Sequence, residues 1–240
     1  MLDKNKIINN LSQNTGIDIT VEQAAAIKAY IDLLVESNQQ MNLTAIVEEE
    51  EIWRKHILDS LLIFCALAIP TGARVIDVGT GAGIPGFILK IYRPDLQLTL
   101  LEAQQKKVKF LEKVVNKLEL KGVECLWSRA EEVGQNKNYR EKYNLAVARA
   151  VAPLNTLAEY CLPLVKVEGF MVAYKGPAGE QELKAAAGAI NLLGGGATKI
   201  WQRKLPGGEE KRLLVIIKKE KVTPPAYPRR PGLPAKRPLK

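Results

Sequence analysis

A short glycine-rich stretch, residues 77–86, carries the clearest chemical signal in the chain. It follows the apolar pair Val75-Ile76 and reads Asp77-Val78-Gly79-Thr80-Gly81-Ala82-Gly83-Ile84-Pro85-Gly86. Glycine lets a backbone approach a ligand where a Cβ atom would clash, and free amides at the start of the next helix can donate hydrogen bonds. The stretch therefore predicts a strand, a turn that cradles a ligand, and a helix start.

Two classes of adenosine-containing cofactor fit this turn. Residues 81–86 match the dinucleotide fingerprint G-x-G-x-x-G, in which a pyrophosphate lies on a helix N-terminus. The longer pattern, an acid two residues before a G-x-G-x-G run, is typical of enzymes that use S-adenosylmethionine (SAM). SAM carries a positive sulfonium and no phosphate, so the carboxylate of Asp77 favours SAM. A loop without a ligand is the remaining alternative, although three alternating glycines cost conformational entropy without a gain in packing.

Two segments after the next predicted strands supply further candidate contacts. Glu102 ends the second strand, where an acid accepts hydrogen bonds from ribose hydroxyls in either cofactor class. Residues 128–132, which include Ala130 and Glu131, follow the third strand, the usual place for an acid and a backbone amide that contact adenine. Alternatively, Glu102 is a solvated acid, and residues 128–132 are the start of a surface helix.

Residues 148–153, Ala-Arg-Ala-Val-Ala-Pro, follow the fourth predicted strand, where the reacting atoms should meet. The segment lacks the Asn/Asp-Pro-Pro-aromatic motif of enzymes that methylate exocyclic amines. The chain also has no Pro-Cys pair of the kind used to methylate pyrimidine C5. Guanine N7 already carries an in-plane lone pair, so its methylation needs no general base and depends on alignment and electrostatics. The missing acid/base constellation is compatible with that acceptor and with other non-basic acceptors.

A parallel sheet would bring these segments to one edge. We predict strands over residues 74–78, 96–101, 123–127, 145–148 and 170–174, helices over 85–91, 106–118 and 153–164, and a terminal β-hairpin of 199–205 and 212–217 around Pro206-Gly207-Gly208. A capping box at Thr20 predicts a helix over residues 21–40, and a second helix should begin in the acidic run 48–51 and end before Pro70.

This alternation of strands and helices predicts an α/β protein with three parts. We expect an N-terminal helical cap (1–70), a SAM-binding domain (71–220) and a basic, proline-rich C-terminal tail (221–240). The domain should have the class I SAM-dependent methyltransferase (Rossmann-like) fold, with a seven-stranded, mostly parallel sheet closed by the hairpin. A dehydrogenase would more often continue into a separate substrate domain.

The net charge of +9 points to a polyanionic partner, because clustered lysine and arginine release counterions from a phosphate backbone. The tail contains six lysine and arginine residues, six prolines and no acid. We expect it to form an extended strap that follows a phosphate backbone; the alternative is a solvated tail. The longest apolar run, residues 61–69, is too short for a membrane span, so we expect a cytoplasmic protein. Three scattered cysteines and one histidine support neither a disulfide framework nor a metal site.

Several motifs together resemble one family, the bacterial small-subunit rRNA guanine-N7 methyltransferases, also called glucose-inhibited division protein B. They are Asn42-Leu43-Thr44, His56 with Asp59-Ser60-Leu61, Asp77 through Gly86, Glu102 with Lys106-Lys107, Arg129-Ala130-Glu131, Arg149 through Ala152, and Lys175-Gly176. The resemblance implies SAM as methyl donor and a guanosine in the decoding region of 16S rRNA, within the small ribosomal subunit, as acceptor. It implies SAM contacts from Gly79, Ile84, Ala130, Glu131 and Arg149, with Asp77, Gly81 and Glu102 as further candidates. Many members carry Phe at the position of Ile84 and Ser at that of Ala148.

Other functions stay open from the residues alone. A methyltransferase of this class could act on a protein or a small metabolite, and a vestigial cofactor pocket would fit a non-enzymatic RNA-binding assembly factor. A nicotinamide oxidoreductase is a more distant alternative. Arg149 is a candidate for positioning the substrate; His56 fits a structural, catalytic or RNA contact, and Lys175 a phosphate contact or a solvated side chain. The sequence indicates no oligomeric state.

Overall fold

The computed structural model describes residues 12, 15–205 and 209–240, and one seven-stranded sheet runs through its centre. The strands are β1 (Arg74–Val78), β2 (Gln97–Glu102), β3 (Val123–Trp127), β4 (Tyr143–Arg149), β5 (Val165–Lys175), β6 (Gly195–Lys204) and β7 (Lys211–Lys219). Their order across the sheet is β3-β2-β1-β4-β5-β7-β6. The first five strands pair in parallel, and β7 pairs antiparallel with both β5 and β6. The predicted α/β class, strand number and closing hairpin are confirmed.

Helices cover both faces of this sheet. They are α1 (Val21–Met41), α2 (Glu49–Ile52), α3 (Asp59–Leu61), α4 (Ile63–Ala66), α5 (Gly86–Tyr92), α6 (Gln105–Lys117), α7 (Ala130–Gln135), α8 (Leu154–Cys161), α9 (Gly179–Leu192) and α10 (Leu233–Lys236). A π-helical stretch, Trp53–Leu58, joins α2 to α3, and a 3-10 turn, Leu162–Leu164, follows α8.

The apolar residues of β1 alternate between two buried clusters, because successive side chains of a strand point to opposite faces. Val75 packs in the cluster that includes α1 and α6, and Ile76 and Val78 pack in the one that includes α8 and α9. Because a central strand is buried on both faces, its sequence is mostly apolar, and this apolar run predicts the strand. The order of strands reverses at β1, with β2 on one side and β4 on the other. Ligands of open α/β sheets bind in the crevice beyond the carboxyl ends of strands at such a point.

Helix α1 begins as its sequence predicts. The Thr20 hydroxyl accepts a hydrogen bond from the Gln23 amide, and the Gln23 side chain accepts one from the Thr20 amide. The second predicted helix begins one residue after Glu48 but is interrupted by the π-helical stretch, which the acidic start and the apolar spacing do not indicate.

Other elements also differ from the prediction, among them β6, which begins at Gly195 and not at residue 199. The sequence does not predict helix α9, since its alanines and two glycines give weak helical periodicity. Strand β5 begins five residues earlier than expected, at Val165, because only its second half is buried as a continuous apolar run. The predicted turn at 206–208 and most of residues 1–14 lie outside the described residues.

The C-terminal strap, residues 221–240, lies against the domain along α7 and α8. Thr223, Pro228 and Pro234 are buried, and the Arg229 guanidinium forms an ion pair with the buried carboxylate of Glu159 at 2.6 Å. The sequence predicts an extended strap tracking a phosphate backbone; in the structure part of its length instead packs on protein.

Candidate active site

The glycine loop between β1 and α5 is held by β2 and α1. The amides of Gly79 and Thr80 both donate to the Leu101 carbonyl, at 2.9 and 3.1 Å. The buried Tyr30 hydroxyl on α1 donates to the Ala82 carbonyl at 2.8 Å. Gly79 has φ +68°, and a Cβ atom there would lie 2.8 Å from the Val151 side chain, so the position requires glycine. Tyr30, not identified from the sequence, fixes this loop from the N-terminal helices.

Asp77 lies beneath the loop, away from the cleft surface. Its side chain is fully buried, and Oδ2 accepts hydrogen bonds from the Thr80 hydroxyl (2.6 Å) and the Gly86 amide (2.8 Å). The other oxygen, Oδ1, has no hydrogen-bond partner among the described residues. Burial raises the pKa of Asp77 from 3.8 to about 6, and the two hydrogen bonds oppose that rise. Asp77 therefore links both ends of the loop and contributes a negative charge under it.

Glu102, at the end of β2, supports the loop from a second side. Its Oε2 accepts from the Gly81 amide at 3.0 Å and its Oε1 from the Gln104 amide at 2.9 Å. A carboxylate oxygen has more than one lone pair, so both oxygens keep the capacity to accept a ribose hydroxyl. The predicted ribose contact is thus compatible with a structural role in shaping the loop.

A cleft opens beside this loop, between the ends of β1, β2 and β3 and the start of α7. Its walls include Gly79, Ala130 and Glu131, three of the predicted cofactor-binding residues. The other lining residues are Val78, Leu101, Ala103, Ser128, Arg129, Val151, Tyr160, Gly232 and Ala235. Apolar walls, a close-approach glycine and an inward-facing acid suit the adenosine part of a SAM molecule. Ile84 is buried in the core beneath the loop, and its contact with the cofactor stays a prediction.

Arg149 lies on the other side of the loop that follows β4, in a second pocket of about 330 Å³. The residues that line it are Ile46, Lys55, His56, Asp59, Arg149, Ala150, Tyr174, Lys175, Gly176 and Arg212. The Arg149 guanidinium donates to the Lys55 carbonyl at 2.9 Å and contacts the Asp59 carboxylate at 3.2 Å. Arg149 thus lines this pocket, while Gly79 and Glu131 line the cleft, and its predicted contact with SAM stays a prediction.

His56 is held as a neutral ring between two partners. Its Nδ1 lies 2.9 Å from Arg149, which can only donate, so Nδ1 accepts and Nε2 carries the proton. Nε2 then donates to the Thr44 hydroxyl at 2.9 Å. Burial and the nearby Arg149 charge lower the pKa of His56 to about 4. His56 thus has no free lone pair and positions Arg149. Of the three roles considered from the sequence, this arrangement favours the structural one.

The other charged groups of this pocket are also engaged. Asp59 is buried between Arg149 and Arg212, and burial raises its pKa while the two arginines oppose the rise. The Lys175 ammonium donates to the Ala152 carbonyl at 2.8 Å and pairs with Glu182 at 2.7 Å. Lys175 therefore supports the loop after β4 and is not a solvated side chain.

Neither a metal cluster nor a membrane span is present in residues 12, 15–205 and 209–240. Within those ranges, no group of three or more histidine, cysteine, aspartate or glutamate side chains has metal-binding geometry. Within the same ranges, no helix has the length and apolar character needed to cross a bilayer.

Solved structures similar to this one share its α/β fold. A predicted O-methyltransferase from Agrobacterium tumefaciens aligns with a TM-score of 0.54 at 20% identity, over 69% of this chain and 80% of that one. A protein from Corynebacterium glutamicum aligns with a TM-score of 0.54 at 16% identity, over 80% and 90% of the two chains. At such identities the likeness establishes the fold alone, which is the class I SAM-dependent methyltransferase fold.

Sequence relatives are far closer. A ribosomal RNA small subunit methyltransferase G from Moorella thermoacetica is 63% identical over 239 residues, 100% of both chains. One from Pelotomaculum thermopropionicum is 47% identical over 95% of each chain. The family model described as "GidB: rRNA small subunit methyltransferase G" matches residues 23–210. With full-length similarity, a matching fold and the glycine loop in place, the chain belongs to the rRNA small subunit methyltransferase G family.

Proposed function

We propose that the protein transfers the methyl group of SAM to N7 of a guanine in 16S rRNA. Family membership supports an rRNA methyltransferase, and the observation that supports N7 is the pocket around Arg149. That pocket adjoins the cofactor cleft across the loop after β4, since Arg149 and Ala150 line the pocket and Val151 lines the cleft. A base in the pocket would thus meet a methyl group held in the cleft.

Two described groups of the pocket could accept a proton, the His56 ring and the Asp59 carboxylate, and each is paired with arginine. The His56 lone pair is occupied by Arg149, and the Asp59 carboxylate is flanked by two guanidinium groups. Attack by guanine N7 needs no proton acceptor, because its lone pair lies in the ring plane and carries no hydrogen. An exocyclic amine or a hydroxyl would have to lose a proton during or after the transfer. The pocket therefore favours N7 among the acceptors of rRNA.

Each part of the site has a role in this reaction. SAM, when bound, supplies an electrophilic methyl group, and Gly79, Ala130 and Glu131 would hold its adenosine part. The buried negative charge of Asp77 lies under the loop that cradles the cofactor and favours a cationic donor over a neutral product. Arg149 and Arg212 carry two positive charges against the single charge of Asp59, which suits a pocket that receives RNA.

The test is methyl transfer from labelled SAM to 16S rRNA and to small ribosomal subunits, followed by digestion and identification of the labelled nucleoside. We expect 7-methylguanosine at a single position. Label only in base amines or riboses would refute the N7 assignment. Transfer that is indifferent to RNA would refute the rRNA substrate, and Arg149→Lys should lower the rate of transfer while SAM binding is kept.

A further inference from the structure

The C-terminal strap reaches the cofactor cleft. Gly232 and Ala235 lie in the wall of the cleft that also contains Glu131 and Tyr160. The Gly232 amide donates to Glu131 Oε1 at 2.8 Å, and Gly232 adopts φ +80° directly before α10. Glu131 Oε2 has no hydrogen-bond partner in the part of the chain that the structure describes. One oxygen of this acid is thus fixed by the strap, and the other remains available to a ligand.

Arg229 fixes the strap a few residues before that contact. Its Nε donates to Glu159 Oε1 at 2.8 Å and its terminal nitrogen to Oε2 at 2.6 Å, while its backbone amide donates to Oε1 at 2.8 Å. Glu159, on α8, is fully buried. A buried carboxylate left without its partner is strongly unfavourable, so this pair holds the strap in one place.

A second cation fixes the strap further upstream. The Arg140 guanidinium donates to the carbonyls of Thr223 and Tyr227, both at 2.7 Å. A Cβ atom on Gly134 of α7 would lie 2.7 Å from the Pro228 ring, so the glycine allows the strap to lie against the helix. The strap therefore reaches Glu131 along a path built into the domain.

We propose that the strap is part of the cofactor site: the Gly232 amide orients Glu131, and residues 232–235, held by the pair of Arg229 and Glu159, close the adenosine end of the cleft. This inference rests on the proposed function, since the ligand is the adenosine part of SAM. It adds Gly232 and Ala235 to the residues that bind the cofactor and makes Arg229 a positioning residue.

The first experiment compares Arg229→Gln with Arg230→Gln, an exposed arginine next to it. Isothermal titration with SAM and with S-adenosylhomocysteine should show both affinities reduced about tenfold in Arg229→Gln, the worth of one hydrogen bond to a charged group. The KM for rRNA should not change, and Arg229→Lys, which keeps the charge opposite Glu159, should recover part of the affinity. Arg230→Gln should bind both ligands as the wild type does.

The second experiment avoids the buried pair. Ala235→Phe places a large side chain at an exposed position in the wall of the cleft, and Lys236→Phe places it beside the cleft. The first variant should lose cofactor affinity with an unchanged melting temperature, and the second should lose neither. Wild-type affinity for SAM in both Arg229→Gln and Ala235→Phe would overturn the inference about the strap. A wild-type protein that binds no SAM would instead overturn the proposed function.

Discussion

Asp77→Asn tests how the buried acid under the glycine loop acts. The asparagine amide oxygen can take the place of Oδ2 and still accept from the Thr80 hydroxyl and the Gly86 amide. The amide nitrogen then takes the place of Oδ1, which has no partner among the described residues. The substitution therefore removes the charge and keeps the shape. The unpaired amide nitrogen adds a cost of about 1–3 kcal/mol that does not depend on pH.

Asp77 contributes to the pH dependence of stability through its pKa, about 6 in the folded protein against an ordinary 3.8. Because the folded pKa is the higher one, the folded state holds a proton that the unfolded state has lost between these values. The contribution of Asp77 to the stability of the wild type must then fall as pH rises from about 4 to about 6, by about 3 kcal/mol in total. Asp77→Asn lacks this loss, so its free energy of unfolding, relative to wild type, should improve by that amount across the window.

Urea unfolding of both proteins at several pH values measures this difference. Asp95→Asn is a control, because hydrogen bonds with Arg93 hold the pKa of Asp95 well below its usual range, so its contribution is lost only below about pH 4 and its difference from wild type should stay constant from about pH 4 to about pH 6. A difference between Asp77→Asn and wild type that does not vary with pH would refute the reasoning. Binding gives a second check: SAM, which is cationic, should lose more affinity for Asp77→Asn than neutral S-adenosylhomocysteine does.

Three further changes test other parts of the site. Gly79→Val should abolish SAM binding in a calorimetric titration while rRNA affinity is retained, because its side chain would collide with neighbouring atoms at a positive φ. Tyr30→Phe should lower the free energy of unfolding in urea by about 1 kcal/mol and weaken SAM binding, because the Ala82 carbonyl loses its donor. An unchanged affinity for SAM would show that α1 does not influence the loop. Replacing Arg230 and Arg237 by glutamine should reduce the salt dependence of rRNA binding by about 0.7 in log–log slope for each phosphate that is no longer neutralised, and an equal slope would exclude the strap from the RNA interface.

The fold could be predicted because its strands are apolar runs between clear turn residues. β1 and β3 have the bounds that the sequence predicts, and the glycine loop comes directly after β1 as expected. The family resemblance stated from the motifs is confirmed by relatives that match over the whole chain. Such features depend on neighbouring residues, so a single sequence is enough to find them.

The contacts that each site residue makes could not be predicted, because they join segments that are distant in the sequence. An acid two residues before a glycine run looks the same whether its carboxylate faces a ligand or, like Asp77, lies under the loop. The contact of Gly232 with Glu131 joins residues that are 101 positions apart, and no local pattern marks it. The basic tail indicated a charge but not the partner of Arg229, which is a buried glutamate on α8.

The π-helical stretch Trp53–Leu58 has a consequence for changes in chain length. It places the Lys55 carbonyl, the His56 ring and the Asp59 carboxylate around the single guanidinium of Arg149. Deleting one residue from the stretch would let it relax to an ordinary α-helix, which has fewer residues per turn, so the flanking helices would keep their facing while the residues inside the stretch change direction. The Lys55 carbonyl and the His56 ring lie inside the stretch, so Arg149 would lose the present alignment of two of its three acceptors.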